Sequence, residues 1–432
     1  MRLVAVALLA SATLIPYEDA KPILQADGRN ISATEWPVWV ARRNAEIRAR
    51  LTQGDEDSVV NLWLYGTSFT KLPRVTDREA AQLASSEKIQ DLLLARLDDF
   101  VSALAKPGTN ERLQFARDLV TRKGIGLSTE AGREKAREYL VGLRERVIAE
   151  NERYRRAAES PSEYATLYRD RGLSSDTRLT ASFAIDRALE ALAASGWKPA
   201  GGVKRVAVVG PGLDFTDKAE GYDFYPQQTI QPFALIDSLA RLKLAALGDL
   251  RMTTLDLSPR VNRHLEAARR RAESGAPYVI QLPLATDAAK HEWHPGFVAY
   301  WHDVGAAIGK TVPAAPPPAI AGAVRVRAVA VRPSIVAALT PEDVNIIFER
   351  LPLKDEERFD LIVATNILVY YDGFEQSLAL ANIAKMLRPG GFFLTNYPVT
   401  PVAPMESTAS ITTPVFFDAQ RNGDTVYAYR KR

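Results

Sequence analysis

Cysteine is absent from all 432 residues, so thiolate nucleophiles, iron–sulfur clusters, thiolate zinc sites and disulfides are excluded together. Histidine is scarce, with 4 in the chain, which leaves only those rings and carboxylates to hold a metal. A strong charge of either sign is missing as well. The 55 Lys and Arg against 52 Asp and Glu give a net charge of +3, too small to imply nucleic acid or anionic lipid. No apolar run is long enough to span a bilayer, and no internal repeat is found. The chain does have length and 47% hydrophobic residues, enough for two or three domains with real cores.

The first residues pull in another direction. Arg2 precedes an apolar run over residues 3–15, closed by Pro16 and Tyr17-Glu18-Asp19-Ala20. A charged start, a short apolar stretch and nearby small residues fit a secretory signal, so residues 1–20 are read as a signal peptide and imply export, periplasmic or secreted. The cleavage site is poor, because Ala10-Ser11-Ala12 leaves a short apolar core and Ala20 has Glu18 where a small residue is wanted. A buried first strand or helix is the alternative.

Residues 21–157 read mostly as helices. Ile89, Leu92, Leu93, Leu97, Phe100, Val101 and Leu104 recur at three- and four-residue spacing, and Pro107-Gly108 ends the run. Residues 129–156 mix Arg and Glu around Leu140, Leu143 and Val147, the pattern of a solvated helix face. From residue 158 to the end, strands alternate with helices. Short β-branched or apolar runs at 205–209, 251–257, 344–348, 359–364 and 391–395 are separated by helical patterns at 232–246, 259–272 and 374–387. That alternation predicts an α/β fold with a doubly wound, mostly parallel, Rossmann-like sheet. Residues 414–417 and 425–429, around Arg421-Asn422-Gly423-Asp424, predict a C-terminal antiparallel hairpin. A lid-like insertion is expected at about 273–343, with a Pro/Ala linker at 312–323. It holds His291, Trp293, His294, Trp301 and His302, whose spacing is not His-Glu-x-x-His, so an aromatic lid is expected there and no metal.

Two strand ends carry the chemistry. Val206-Ala207-Val208-Val209-Gly210-Pro211-Gly212 is a buried strand running into Gly-x-Gly, where a ligand can lie against bare backbone. Phe215 stands where a dinucleotide fingerprint wants its third glycine. Thr254-Leu255-Asp256-Leu257-Ser258-Pro259 places an acid at the tip of the next strand, where it can accept both hydrogen bonds of a ribose diol. Phe359-Asp360-Leu361-Ile362 and Leu387-Arg388-Pro389-Gly390-Gly391 follow in order.

From about residue 203 onward this order of motifs resembles the class I S-adenosylmethionine-dependent methyltransferases. Asn366-Ile367-Leu368-Val369-Tyr370-Tyr371-Asp372 is similar to the chemotaxis-receptor glutamate methyltransferase branch. The resemblance implies S-adenosylmethionine as cofactor and methyl transfer to an unidentified small-molecule or protein acceptor. It puts Gly210 and Gly212 against the methionine part, Asp256 on the ribose, Leu257 over adenine, Glu349 with Phe348 at the adenine edge, and Asn366 near the sulfonium. Two departures stand out. The acid that the family carries two residues before its first glycine is here Val208, for which Asp214 is a candidate substitute, and residues 214–231 form an extra loop that can wall the acceptor pocket. Tyr225, His302 and Tyr370 are the candidates for positioning the acceptor. Residues 171–177 can pack over the cofactor or simply start a helix. A nicotinamide-dependent oxidoreductase and a non-catalytic exported protein that retains the fold are the alternatives. Export also conflicts with a cofactor ordinarily found in the cytosol.

Overall fold

The computed structural model describes residues 12–74, 87–157, 171–216, 220–287, 292–416 and 423–432. A short strand β1 (Thr13–Leu14) precedes helices α1 (Tyr17–Ala26), α2 (Trp36–Tyr65), α3 (Glu87–Ala105), α4 (Glu111–Arg122) and α5 (Glu130–Ala157). The alternating part follows as α6 (Leu179–Ala194), β2 (Arg205–Val209), α7 (Gln231–Arg241), β3 (Arg251–Leu255) and α8 (Pro259–Glu273). Next come β4 (Tyr278–Ala285), α9 (Pro295–Asp303), β5 (Gly309–Val312), β6 (Val324–Val331), α10 (Pro333–Ala337), β7 (Leu339–Glu342) and β8 (Glu349–Arg350). The chain ends with β9 (Phe359–Ala364), α11 (Gly373–Met386), β10 (Leu387–Thr395), β11 (Met405–Thr413) and β12 (Asp424–Lys431).

Seven strands form the central sheet in the order β11-β12-β10-β9-β2-β3-β7. The pairs β2–β3, β3–β7, β2–β9 and β9–β10 are parallel, while β12 is antiparallel to both its neighbours. The chain winds outward from β2 in one direction, returns, and continues in the other, so a crevice lies where β2 and β9 diverge at their carboxyl ends. The fully apolar stretch of β2 explains its central place. Val206 and Val208 enter a core with α6, α7 and α8, whereas Ala207 and Val209 enter a second core with α1 and α11.

Two expected strands are shifted. The third parallel strand is Leu339–Glu342, and the apolar run at 344–348 is a buried turn instead. Asn345 causes this, since its side chain accepts the Ile347 N–H and its carbonyl accepts those of Phe348 and Glu349. The hairpin at the C-terminus pairs β11 with β12, so its first strand is Met405–Thr413 and not 414–417. Within the latter stretch Phe416 bridges to Trp293, and residue 417 lies outside the described residues. The 405–413 strand gave little signal because it is an edge strand rich in exposed Ser and Thr.

The described residues of 273–343 form a packed layer and not a lid. Strands β4, β6 and β5 make their own antiparallel sheet, and with α9 they extend the first core, where the Phe183 ring meets Phe297 and Tyr300. Helix α2 joins two cores. Trp36, Val40 and Ile47 pack under the sheet, while Val59, Val60, Leu62 and Trp63 pack with α3, α4 and α5. The helices before residue 157 therefore divide, with α1 and the first half of α2 built into the α/β unit.

Residues 1–11 lie outside the described residues, but the remainder of the expected signal segment is structural. Thr13 and Leu14 pair with Arg350 and Glu349, and Ile15 is 1% exposed, with its N–H donated to Phe348 and its carbonyl accepting Trp36 Nε1. Ile15→Ala is expected to lower unfolding stability by about 3 kcal/mol. Urea unfolding reads this, and an unchanged midpoint would show that this segment does not support the core.

Candidate functional site

The carboxyl edge of the sheet opens into a cavity of about 520 Å³, within the size range of roughly 300–1,000 Å³ usual for small-molecule sites. At its floor β2 runs into Gly210 and Gly212, whose φ angles are 63° and 66°. A Cβ on Gly210 would sit 2.2 Å from Ile367 Cδ1, and one on Gly212 would sit 2.5 Å from the Ser175 carbonyl oxygen. Both turns therefore require bare backbone.

Asp256, just past the end of β3, is 8% exposed. Its carboxylate accepts the Ser258 N–H at 2.7 Å and also that of Gly212, so it ties the glycine loop to the start of α8. Burial pushes its pKa up to about 7 against the pull of these two donors. A carboxylate has about four acceptor positions, so roughly two remain for a ligand.

Beyond β9, Asn366 adopts a left-handed backbone (φ 58°) that a reciprocal pair holds in place. Its N–H donates to Asn396 Oδ1 at 2.7 Å, and Asn396 Nδ2 donates to Asn366 Oδ1 at 2.8 Å. Gln231, at the start of α7, donates from Nε2 to Thr365 Oγ1 at 2.6 Å. Because β12 runs antiparallel, Asp424 at its beginning arrives at this same edge and also borders the cavity.

The remaining wall is a strap, residues 171–178. The Leu213 N–H donates to the Ser175 carbonyl at 2.6 Å, and the Leu173 N–H donates to the Arg50 carbonyl at 3.1 Å. Arg50 in turn donates to the carbonyls of Arg171 and Tyr370, joining α2, the strap and the turn after β9. The strap is more than a helix start, since Arg178 at the head of α6 provides no side-chain cap.

Gly210, Gly212, Asp256, Leu257, Asn366 and Tyr370 all border this cavity, whereas Asp214, Tyr225, His302 and Glu349 do not. Asp214 is buried, and its Oδ2 accepts from Tyr225 Oη at 2.8 Å and Gln228 Nε2 at 2.9 Å, so two expected site residues bind each other. His302 is exposed on α9 beside Trp301. Glu349 accepts from Asn44 Nδ2 and the Asn345 N–H, each at 2.7 Å, and Val344 and Ile346 border the cavity instead. The tryptophans expected as a lid are structural. Trp301 Nε1 donates to the Leu282 carbonyl, Trp293 stacks on Phe416, and no described residue of 273–343 borders the cavity. His291 lies outside the described residues, and His294 Nδ1 accepts the Gly296 N–H at the start of α9. Among the described residues no group of three or more His, Asp or Glu is arranged to hold a metal ion.

The extra loop at 214–231 mainly docks the helical layer. Phe215, at the missing third glycine, is buried among α3–α5 residues, and Arg112 donates to the carbonyls of Asp214, Phe215 and Tyr225. The Asp223 carboxylate accepts the N–H and hydroxyl of both Thr67 and Ser68. Among the described residues of this stretch, only Thr216 and Gln231 reach the cavity. Residues 217–219 lie outside the described residues.

Residues 302–395 match a family model described as a methyltransferase domain. Among solved structures, the chain is similar to the N-methyltransferase NodS from Bradyrhizobium japonicum WM9 in complex with S-adenosyl-L-homocysteine, at 14% identity over 57% of this chain and 85% of that one, with a TM-score of 0.26. It is also similar to magnesium protoporphyrin IX methyltransferase from Synechocystis PCC 6803 with bound S-adenosylmethionine, at 12% identity over 66% of this chain and 96% of that one, with a TM-score of 0.27. No curated protein matches the chain. No helix among the described residues is long and apolar enough to cross a membrane.

Proposed function

We propose that the protein transfers a methyl group from S-adenosylmethionine to an acceptor that enters beside Asn366 and Tyr370. The observation that carries this reading is the meeting, in one cavity at the sheet's crevice, of the bare turns at Gly210 and Gly212 with the buried Asp256 carboxylate. The residues present fit the cofactor. Both glycine turns border the cavity as bare backbone, Asp256 retains acceptor positions for a ribose diol, and Leu257, Val344 and Ile346 offer an apolar surface for a base.

The cofactor supplies a methyl on a sulfonium, which an oriented nucleophile takes as a neutral thioether leaves. The protein's share is orientation, and proximity alone supplies much of the rate. The Asn366–Asn396 pair fixes the rim where the acceptor would dock, and the strap screens the glycine loop from water. The run from Asn366 to Asp372 supports testing a protein glutamate side chain first among acceptors, followed by hydroxyl, amine and carbon nucleophiles. In this reading residues 13–20 stay with the working chain, and the usual supply of the cofactor favours a cytosolic enzyme. Terminal sequencing of the mature protein should recover Ile15.

Calorimetric titration tests the cofactor. S-adenosylhomocysteine is expected to bind at one site and NAD not at all; NAD binding with no response to S-adenosylhomocysteine would replace this reading with an oxidoreductase. Intact-mass scanning of acceptors incubated with the protein and S-adenosylmethionine then looks for the addition of one methyl.

A further inference from the structure

The methionine end of the cofactor carries an ammonium and a carboxylate, and buried charges of this kind need partners. At the glycine loop the residue beneath the ligand is apolar, since Val208 is fully buried in the first core. Among the described residues, the carboxylates bordering the cavity are Asp176, Asp256 and Asp424. Asp256 is held at the ribose side by the Ser258 and Gly212 N–H groups. Asp424 begins β12, three strands from β2 in the sheet order, which is about 14 Å at strand spacing. Asp214 is enclosed with Tyr225 and Gln228.

Asp176 borders the cavity on the strap, and the strap places it beside the glycine loop. Its neighbours on both sides touch the glycine loop. Ser175 accepts the Leu213 N–H, and Thr177 Cβ lies 3.2 Å from where a Cβ on Gly212 would sit. Ser174 Oγ approaches Asp176 Oδ2 at 3.4 Å and accepts the Asp176 N–H at 3.3 Å, which fixes the turn. Behind it stands a second acid. Asp55 on α2 is paired to Arg260 at 3.5 Å, and burial, with a further push from the Asp176 charge, raises its pKa.

Resting on the methyltransferase reading, we propose that Asp176, carried by the strap and not by the sheet, binds the α-ammonium of the cofactor's methionine end. The test compares S-adenosylhomocysteine with its desamino analogue, in which a hydrogen replaces the ammonium, on wild type and Asp176→Asn by calorimetry. Wild type is expected to prefer S-adenosylhomocysteine, and Asp176→Asn to lose about ten- to a hundredfold in affinity for it while binding the desamino analogue as wild type does. Equal losses for both ligands would mean that Asp176 only shapes the strap, and no loss for either would mean that it does not meet the ammonium; each result overturns the proposal. Asp176→Glu, which keeps the charge, is expected to recover part of the preference if the proposal holds. Wild type binding neither ligand would instead overturn the cofactor reading, and this inference with it.

Discussion

Asp256→Ala is expected to weaken S-adenosylhomocysteine binding by roughly a hundredfold, about 3 kcal/mol, through the loss of two charge-assisted hydrogen bonds to the ribose diol. The same residue sets a pH dependence whose sign is fixed by its environment. Burial raises the Asp256 pKa to about 7 in the free protein, whereas hydrogen bonds donated by a diol favour the carboxylate and lower it. Cofactor affinity should therefore climb as pH rises from about 5 to 7, by up to about tenfold per unit, and level off above. Stability of the free protein moves the opposite way. A carboxyl whose folded pKa exceeds its unfolded value near 3.9 contributes stability that is complete below about pH 4 and lost as pH rises through about 7. Calorimetry in buffers of different ionisation enthalpy should detect protons released on binding at pH 6. PH-independent affinity and no proton release would show that Asp256 is not the diol's acceptor.

Gly54→Ala should also weaken binding, without touching the cavity. In the middle of an exposed helix this change favours helix by about 1 kcal/mol. Here a Cβ on Gly54 would lie 1.9 Å from the Leu173 carbonyl oxygen, and a Cβ on Gly172 would lie 2.5 Å from the Gly54 nitrogen. The two backbones touch, so the strap has to move away from α2, at an overpacking cost of about 1–3 kcal/mol. Because the strap also presses on Gly212 through Ser175, that displacement is expected to weaken S-adenosylhomocysteine binding by about tenfold or more while far-UV circular dichroism stays unchanged. Wild-type affinity in Gly54→Ala would show that the helix–strap contact does not shape the site.

The parts of the fold that could be read from the sequence are those whose physics is local. A fully apolar strand followed by glycines, as at 206–212, and a strand ending in an acid before Ser-Pro, as at 254–259, have few alternative structures, and both fall at the cavity. The strap was harder to see. Residues 171–178 have no periodicity, and their role comes from Gly54 in a helix more than 100 residues earlier, a pairing that only the tertiary structure reveals. Asp214 and Tyr225 misled for a related reason. Polar residues near a glycine loop look available for a ligand, but Arg112 draws their backbone into the helical layer and the side chains pair with each other. Asp424 reads as part of a hairpin turn and not as a site residue, because the strand that pairs with β12, 405–413, is unremarkable in sequence.

Helix α2 runs unbroken for 30 residues, about 45 Å at helical rise. One end is fastened beneath the sheet and the other among α3–α5, with the strap contact at Gly54 between them. Such a rod behaves as a lever. A load that tilts the outlying helices, for example a partner pressing on them, has to be taken up where α2 touches the strap, so the outer layer and the cofactor wall are mechanically in series.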